Sequence, residues 1–237
     1  MPPIARTHLP EAARRSHGGF TLVELISVLA IVLILAALAL PASLELKSRG
    51  DAVTCLSNLR RIHSLISQYA ADHGGYYPKI NHSGPYDPAT YEGTWEQAIA
   101  NVDFGKDKAN ALFNPWGPIY DQKGYYCPAR EPGTTIAQKI TYGMNFFIGK
   151  RQWDDSYTPL KTLQIARMSS TILVAETLLD NNVTGSYIPE GSPGGLAYRH
   201  HGHCHMVFCD GHVESLTKTE ALSRWPNWNS FDPLAEN

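Results

Sequence analysis

From Leu25 to Ala42 the chain reads LISVLAIVLILAALALPA, with no charged residue and Ser27 as its only hydroxyl. Taken from Phe20 to Leu40 the run has 21 residues. At ~1.5 Å rise per residue that is about 30 Å of helix, the hydrocarbon thickness of a bilayer. A helix buried in a soluble core is the alternative, but core helices rarely lack a polar side over five turns. The run therefore predicts a membrane-spanning helix over 20–40. Arg6, Arg14 and Arg15 precede it against a single Glu11. Such a positive flank stays in the cytoplasm, which puts everything after Leu40 outside the inner membrane. A cleaved secretory signal competes with this reading, and Ala37-Leu38-Ala39 fits its small-residue cleavage pattern. Its apolar centre, however, is only roughly 7–15 residues long and carries no acid like Glu24.

The remainder has the makings of a folded domain. Apolar residues make up 43% and charged residues 18% of the chain, enough to bury a core. Lys plus Arg is 20 against 22 for Asp plus Glu, so no basic field is available to hold a nucleic acid. The 19 Gly and 16 Pro indicate a loop-rich fold, and four Cys are too few for a disulfide scaffold.

Glu24 lies in Gly18-Gly19-Phe20-Thr21-Leu22-Val23-Glu24. A carboxylate at the membrane entrance costs several kcal/mol unless it is paired or reaches the headgroups. The segment GGFTLVELISVLAIVLILAALALPA resembles the N-terminus of type IV prepilins and type II secretion pseudopilins. The resemblance implies that a prepilin peptidase/methyltransferase cuts after Gly19 and methylates the new amino group of Phe20. Glu24 then falls fifth in the mature chain, where the family keeps its acid, and Pro41 matches the family's helix-kinking proline. It also implies that Glu24 pairs with the terminal amine of a neighbouring subunit. In lipid such a pair satisfies two groups that are otherwise expensive, while the helices have no hydrophobic reason to associate.

Past Pro41 the apolar residues form a stripe. Cys55, Leu59, Ile62, Ile66 and Tyr69 recur at spacings of four, three, four and three, one side of a helix. Gly74-Gly75 stops it and Tyr77-Pro78 prevents continuation. A single helix from Phe20 to about Ala71 is predicted, bent near Pro41 and Gly50. Cys55 sits on the stripe and Cys127 follows in Tyr125-Tyr126-Cys127-Pro128. Outside the cytoplasm the two are a candidate bridge tying stem to head; the alternative is two buried thiols acting as small hydrophobes.

Residues 78–237 alternate short apolar runs with Gly, Pro and Asn clusters. Ile140–Ile148, Thr171–Glu176 and His205–Val213 read as strands or hairpin arms, and Thr94–Ala100 as a short helix. Residues 101–123 lack a clear period and read as loops. His200 precedes Asp210-Gly211 by nine residues, which resembles the H-x9-D-G signature of a large set of prepilin-like bacterial proteins. Cys55 within CLSNLRRI, Cys127-Pro128, Tyr142-Gly143-Met144-Asn145 and Ile172–Glu176 also look like that group; His205 stands where it usually has Asn.

Asp210-Gly211 reads as a two-residue type I′ turn. That turn pairs Cys209 with His212 and Phe208 with Val213. Met206, Phe208 and Val213 then share the core side, and His205, Val207, Cys209 and His212 the other. If Tyr198–His200 pairs back through His201–Cys204, His200 lies opposite His205. Five histidines and two cysteines over residues 200–212 suggest a zinc or copper site at His200, His205 and His203. Four strand residues set His205 roughly 13 Å from Cys209, too far for one ion. The plainer reading is a hydrogen-bonded hairpin with Asp210 and His212 orienting its turn. A thiol nucleophile at Cys204 or Cys209 lacks an orienting partner. Asp180-Asn181-Asn182 lacks the ordered carboxylates of a calcium loop, and Trp225 and Trp228 read as packing or interface residues.

The fold expected is α+β and pilin-like, a long N-terminal transmembrane and stem helix packed on a small antiparallel sheet with long loops. Its parts are a cytoplasmic leader (1–19), a transmembrane helix (20–40), a stem helix (41–75) and an extracytoplasmic head (76–237) carrying the hairpin at 200–211. The expected role is structural rather than enzymatic and needs no cofactor: a subunit of a pseudopilus or pilus-like fibre, anchored by one pass in the inner membrane, with its head periplasmic or extracellular. Its partners are the prepilin peptidase/methyltransferase, like or related pilin subunits and the inner membrane. The reading from another class is a membrane-anchored extracytoplasmic metal-binding protein using the His/Cys tract.

Overall fold

The computed structural model describes residues 21–80, 94–113, 122–130, 141–149, 158–177, 187–188, 195–225 and 234. Gly19, Phe20, the arginine flank, the Asp180-Asn181-Asn182 segment and Trp228 lie outside the described residues. The chain divides into two units, Met1–Glu45 and Leu46–Asn237.

In the first unit the helix α1 (Leu22–Asp72) begins. Thr21 and Glu24 form a reciprocal cap at its start. The Thr21 backbone N–H and hydroxyl each donate to Glu24 Oε2 at 2.8 Å, and the Glu24 N–H donates to Thr21 Oγ1 at 3.3 Å. Ser27 donates to the Glu24 carbonyl at 2.9 Å, so the hydroxyl in the apolar run is satisfied within its own helix. Leu25, Ile31, Leu35 and Leu38 are all more than half exposed. An apolar surface left exposed by the described residues over five turns suits a membrane rather than water. By length and composition this is the one helix among the described residues that can cross one. Pro41 and Gly50 both lie inside α1.

In the second unit, Cys55, Leu59, Ile62 and Ile66 are fully buried along one side of α1. The helix stops where Gly74 and Gly75 take positive φ (64° and 88°), and the Gly75 N–H closes on the Ala70 carbonyl at 2.8 Å. Helices α2 (Trp95–Phe104) and α3 (Lys106–Phe113) follow. Thr94 caps α2 by accepting the Gln97 N–H at 3.3 Å, and Trp95 and Ile99 pack into the α1 core. The loop reading of residues 101–123 is corrected here, since α2 runs on to Phe104 and α3 occupies Lys106–Phe113. The sequence KDKANALF buries Ala109 but is half polar and short, so no apolar period announces it.

The sheet comprises β1 (Tyr142–Asn145), β2 (Ile172–Glu176), β3 (Tyr187–Ile188), β4 (His203–Phe208) and β5 (Val213–Thr217), in the order β3-β1-β2-β4-β5. The four longer strands pair antiparallel; β3 adds two residues parallel to β1. One helical turn, α4 (Phe146–Gly149), follows β1, and α5 (Lys218–Arg224) follows β5 with a Thr217/Glu220 capping box. The fold is thus α+β and pilin-like.

Both sides of the sheet are covered, which alters the hairpin reading. Val207 and Cys209 pack with the α1 stripe, while Met206, Phe208 and Cys204 pack with Leu216, Ala221 and Trp225. In the observed register Val207 faces Val213 and Met206 faces Glu214. Val213 therefore joins Val207 beside α1, not Phe208, the opposite of the expectation from a two-residue turn. A shift of one residue in pairing moves a side chain to the other side of the sheet. The Gly211 N–H donates to the Phe208 carbonyl, and the Phe208 N–H to the His212 carbonyl, both at 3.0 Å. Gly211 takes φ 91° and Asp210 does not take a positive φ. The loop has three residues with its glycine left-handed, not a type I′ turn. The two-residue turn lies instead at His201-Gly202, with φ of 50° and 80° and mutual His200–His203 backbone hydrogen bonds.

Candidate functional site

Three segments meet beside α1. Cys55 comes from α1 and Cys127 from the loop 122–130, where the Cys127 N–H donates to Thr141 Oγ1 at 2.8 Å. The two cysteines form a disulfide with Cα atoms 5.3 Å apart. Glu176 ends β2 with no exposure at all. His200 closes the two-residue turn, and its Nε2 lies 3.0 Å from Glu176 Oε1 and 3.2 Å from Cys127 Sγ. The His205 N–H donates to Glu176 Oε2 at 2.9 Å. The His200 and His205 rings are 4.2 Å apart.

Glu176 is the electrostatic centre of this group. Burial pulls the Arg199 guanidinium down from its ordinary value, and the Glu176 charge opposes that. Burial likewise lowers His205, with Glu176 again opposing. The sequence marks Glu176 only as the end of a strand. Its signal was the lone acid closing the otherwise apolar ILVAE, every residue of which is buried.

The three histidines proposed for a metal are only partly assembled. His200 and His205 come together on Glu176, whereas His203 Nδ1 lies 3.2 and 3.1 Å from the carbonyl oxygens of His200 and His201. The backbone pairing also differs, since His200 bridges to His203 rather than to His205. Thiol catalysis fits poorly. Burial raises Cys204 well above its ordinary value, helped by Glu176, and pushes Cys209 up to about 12. Both stay protonated, unreactive thiols at neutral pH.

His200 and Asp210 stand beyond opposite ends of β4, so roughly 20 Å of strand separates the two parts of the H-x9-D-G pattern. They do different jobs. Asp210 Oδ1 accepts the His212 N–H at 3.2 Å and lies 2.5 Å from His212 Nδ1, which orients the turn. Gly211 lets that turn approach α1: a Cβ there would lie 2.8 Å from His63 Cε1, at a φ that side chains resist. His63 Nε2 meets the Cys209 carbonyl at 3.2 Å on the same contact.

The turn has a pH signature. Burial lowers His212, but hydrogen bonds to Asp210 and Glu214 outweigh it and leave its pKa above 6.5. Burial raises Asp210, and hydrogen bonds from His212 outweigh that and leave it below 3.8. The His212 contribution is full below pH 6.5 and is lost as pH rises through its raised folded value. The Asp210 contribution is present above pH 3.8 and is lost as pH falls through its depressed value. Both side chains are more than a third exposed, so screening holds the effect under about 1 kcal/mol. His212→Gln should lower the thermal midpoint at pH 5.5, with the gap to wild type shrinking by pH 8. A gap equal at both values would leave only the ring's stacking on Phe208.

The family described as the prokaryotic N-terminal methylation motif matches residues 14–40. Over 82 residues the chain is 37% identical to the type IV major pilin protein PilE1 of Neisseria gonorrhoeae, covering 34% of this chain and 38% of that one. The chain thus spans little more than a third of the length of this curated relative. No solved structure matches the chain. The methylation motif laid over the run from Arg14 to Leu40, and the pilin match beside the α+β fold, make the chain similar to type IV prepilins.

Proposed function

We infer that this chain is a structural subunit made as a precursor, cut after Gly19 and N-methylated at Phe20 by a prepilin peptidase/methyltransferase. The leader is cytoplasmic, one helix spans the inner membrane, and the second unit is extracytoplasmic. The mature chain assembles with like or related subunits into a pseudopilus or pilus-like fibre, and it is not an enzyme. The observation that carries this reading is the methylation motif over 14–40, coinciding with an uncovered apolar helix that has Glu24 in its first turn. Among the described residues Glu24 is held by Thr21 at the start of its own helix. Exchange of that local cap for the amine of a neighbouring subunit is the step that sets assembly register.

Mass spectrometry of the native N-terminus tests the reading directly. A methylated Phe20 supports it; a chain beginning at Leu40 would establish the secreted alternative released after Ala39. Gly19→Ala should leave the precursor uncut, visible as a longer band, and normal processing would overturn the peptidase assignment. Glu24→Ala should be cut and methylated yet lose fibre formation at least tenfold by electron microscopy of sheared fractions. Normal fibres from that variant would show that the acid is dispensable.

A further inference from the structure

The ligand-capable atoms of Cys55, Cys127, Glu176 and His200 all lie within 4.8 Å of one another, and all four residues are buried. They arrive from α1, a loop, the end of β2 and the turn before β4, so tertiary folding rather than local sequence brings them together. One geometric detail sets the group apart from an ordinary hydrogen-bonded cluster. A single His200 nitrogen faces both Cys127 Sγ at 3.2 Å and Glu176 Oε1 at 3.0 Å, so three potential ligand atoms converge. Donor atoms converging on a common point are arranged as ligands are. A tetrahedron with ~2.1 Å zinc–nitrogen and zinc–oxygen bonds has edges of ~3.4 Å, close to these separations.

We propose that the dithiol form of this protein binds one zinc ion through Cys55, Cys127, His200 and Glu176, and that the Cys55–Cys127 disulfide is the alternative, metal-free state of the same site. The metal chemistry of the site stands apart from the prepilin assignment, whereas its setting outside the cytoplasm rests on that reading. Two thiolates, an imidazole and a carboxylate form a closed, four-coordinate set suited to zinc. Opening the site requires the two sulfurs to separate to ~3.8 Å, the edge set by ~2.3 Å zinc–sulfur bonds.

The chemistry balances. A dithiol reductant transfers two electrons and two protons to the bridge, leaving two thiols and becoming a disulfide itself. Zinc then displaces the two thiol protons to solvent. The two thiolates match the charge of the ion, and Arg199, which lies within electrostatic reach of Glu176, matches the carboxylate. The imidazole proton moves from Nε2 to Nδ1, which has no hydrogen-bond partner among the described residues. That cost keeps the disulfide competitive. A chain leaving the cytoplasm with its thiols reduced thus meets a choice between metal and oxidation.

Cobalt(II) reports such a site by its visible bands. The full chain is reduced with a phosphine, unfolded in urea and refolded into detergent with one equivalent of cobalt. The expected spectrum shows thiolate-to-cobalt charge transfer and tetrahedral d–d bands, both abolished by one equivalent of zinc. The disulfide form taken through the same steps should show neither. His200→Ala should weaken cobalt binding about tenfold or more, while His203→Ala should leave it unchanged. Absence of the bands from the reduced chain overturns the proposal, as do equal bands from the oxidised chain or wild-type affinity in His200→Ala. Should His200→Ala fail to refold, the comparison of reduced and oxidised wild type decides.

Discussion

Glu176→Ala is expected to destabilise the second unit by about 3–5 kcal/mol, the range for removing one partner of a buried charged network. The carboxylate is wholly buried and accepts from the His205 N–H at 2.9 Å and from His200 Nε2 at 3.0 Å. It also supplies the charge that offsets the Arg199 guanidinium. Truncation leaves two buried donors and a half-buried cation without it. Glu176→Gln should fall between wild type and Ala, because the amide keeps one acceptor but loses the charge. Urea unfolding of the oxidised chain in detergent, followed by the fluorescence of Trp95 and Trp225, measures both. A loss under about 1 kcal/mol for Ala would show that the cluster does not depend on its acid.

The second large effect concerns the bridge. Replacing Cys55 and Cys127 together by Ala should cost about 4 kcal/mol, the chain-entropy value for cross-linking residues 72 apart. The measurement needs a chelator throughout, so that metal binding to wild-type thiols does not enter the comparison. An unchanged midpoint would show that the bridge is not formed in the protein as isolated. The two losses should not add, because Glu176, His200 and Cys127 share one cluster.

The long-range skeleton was legible and the hairpin was not, for physical reasons. The stripe from Cys55 to Ile66 could only be one side of a helix, and the two glycines after it could only stop that helix. ILVAE, buried at every position, read as a strand because length and branching decide in its favour. An Asp-Gly pair, in contrast, suits either a turn with two positive φ values or a three-residue loop with one, and local chemistry does not choose between them. The choice lies with α1, whose His63 fills the space beside Gly211. The turn that does need two left-handed residues falls on His201-Gly202, where histidine occupies a φ it seldom adopts. One misplaced turn was enough to put Val213 on the wrong side of the sheet.

The site was legible residue by residue but not as a set. His200 and His205 were singled out by density in the sequence, and Cys55 and Cys127 by the stripe and the Cys-Pro pair. Nothing local ties the two groups together. The link is Glu176, and an acid ending an apolar strand looks like the start of a polar loop until the tertiary structure buries it. The surplus of histidine was also misleading. His203 spends its ring on nearby backbone carbonyls, and His201 meets Ser48 of α1 at 2.8 Å.

The link between Cys55 and Cys127 also governs how the molecule would respond to being pulled. Tension entering at the N-terminal end of α1 meets a covalent knot at Cys55. The span between the two sulfurs, up to ~250 Å of thread at ~3.5 Å per residue, cannot pay out while that knot holds. Strain is passed onward to the strands after Cys127, and the chain gives up far less slack than its length suggests.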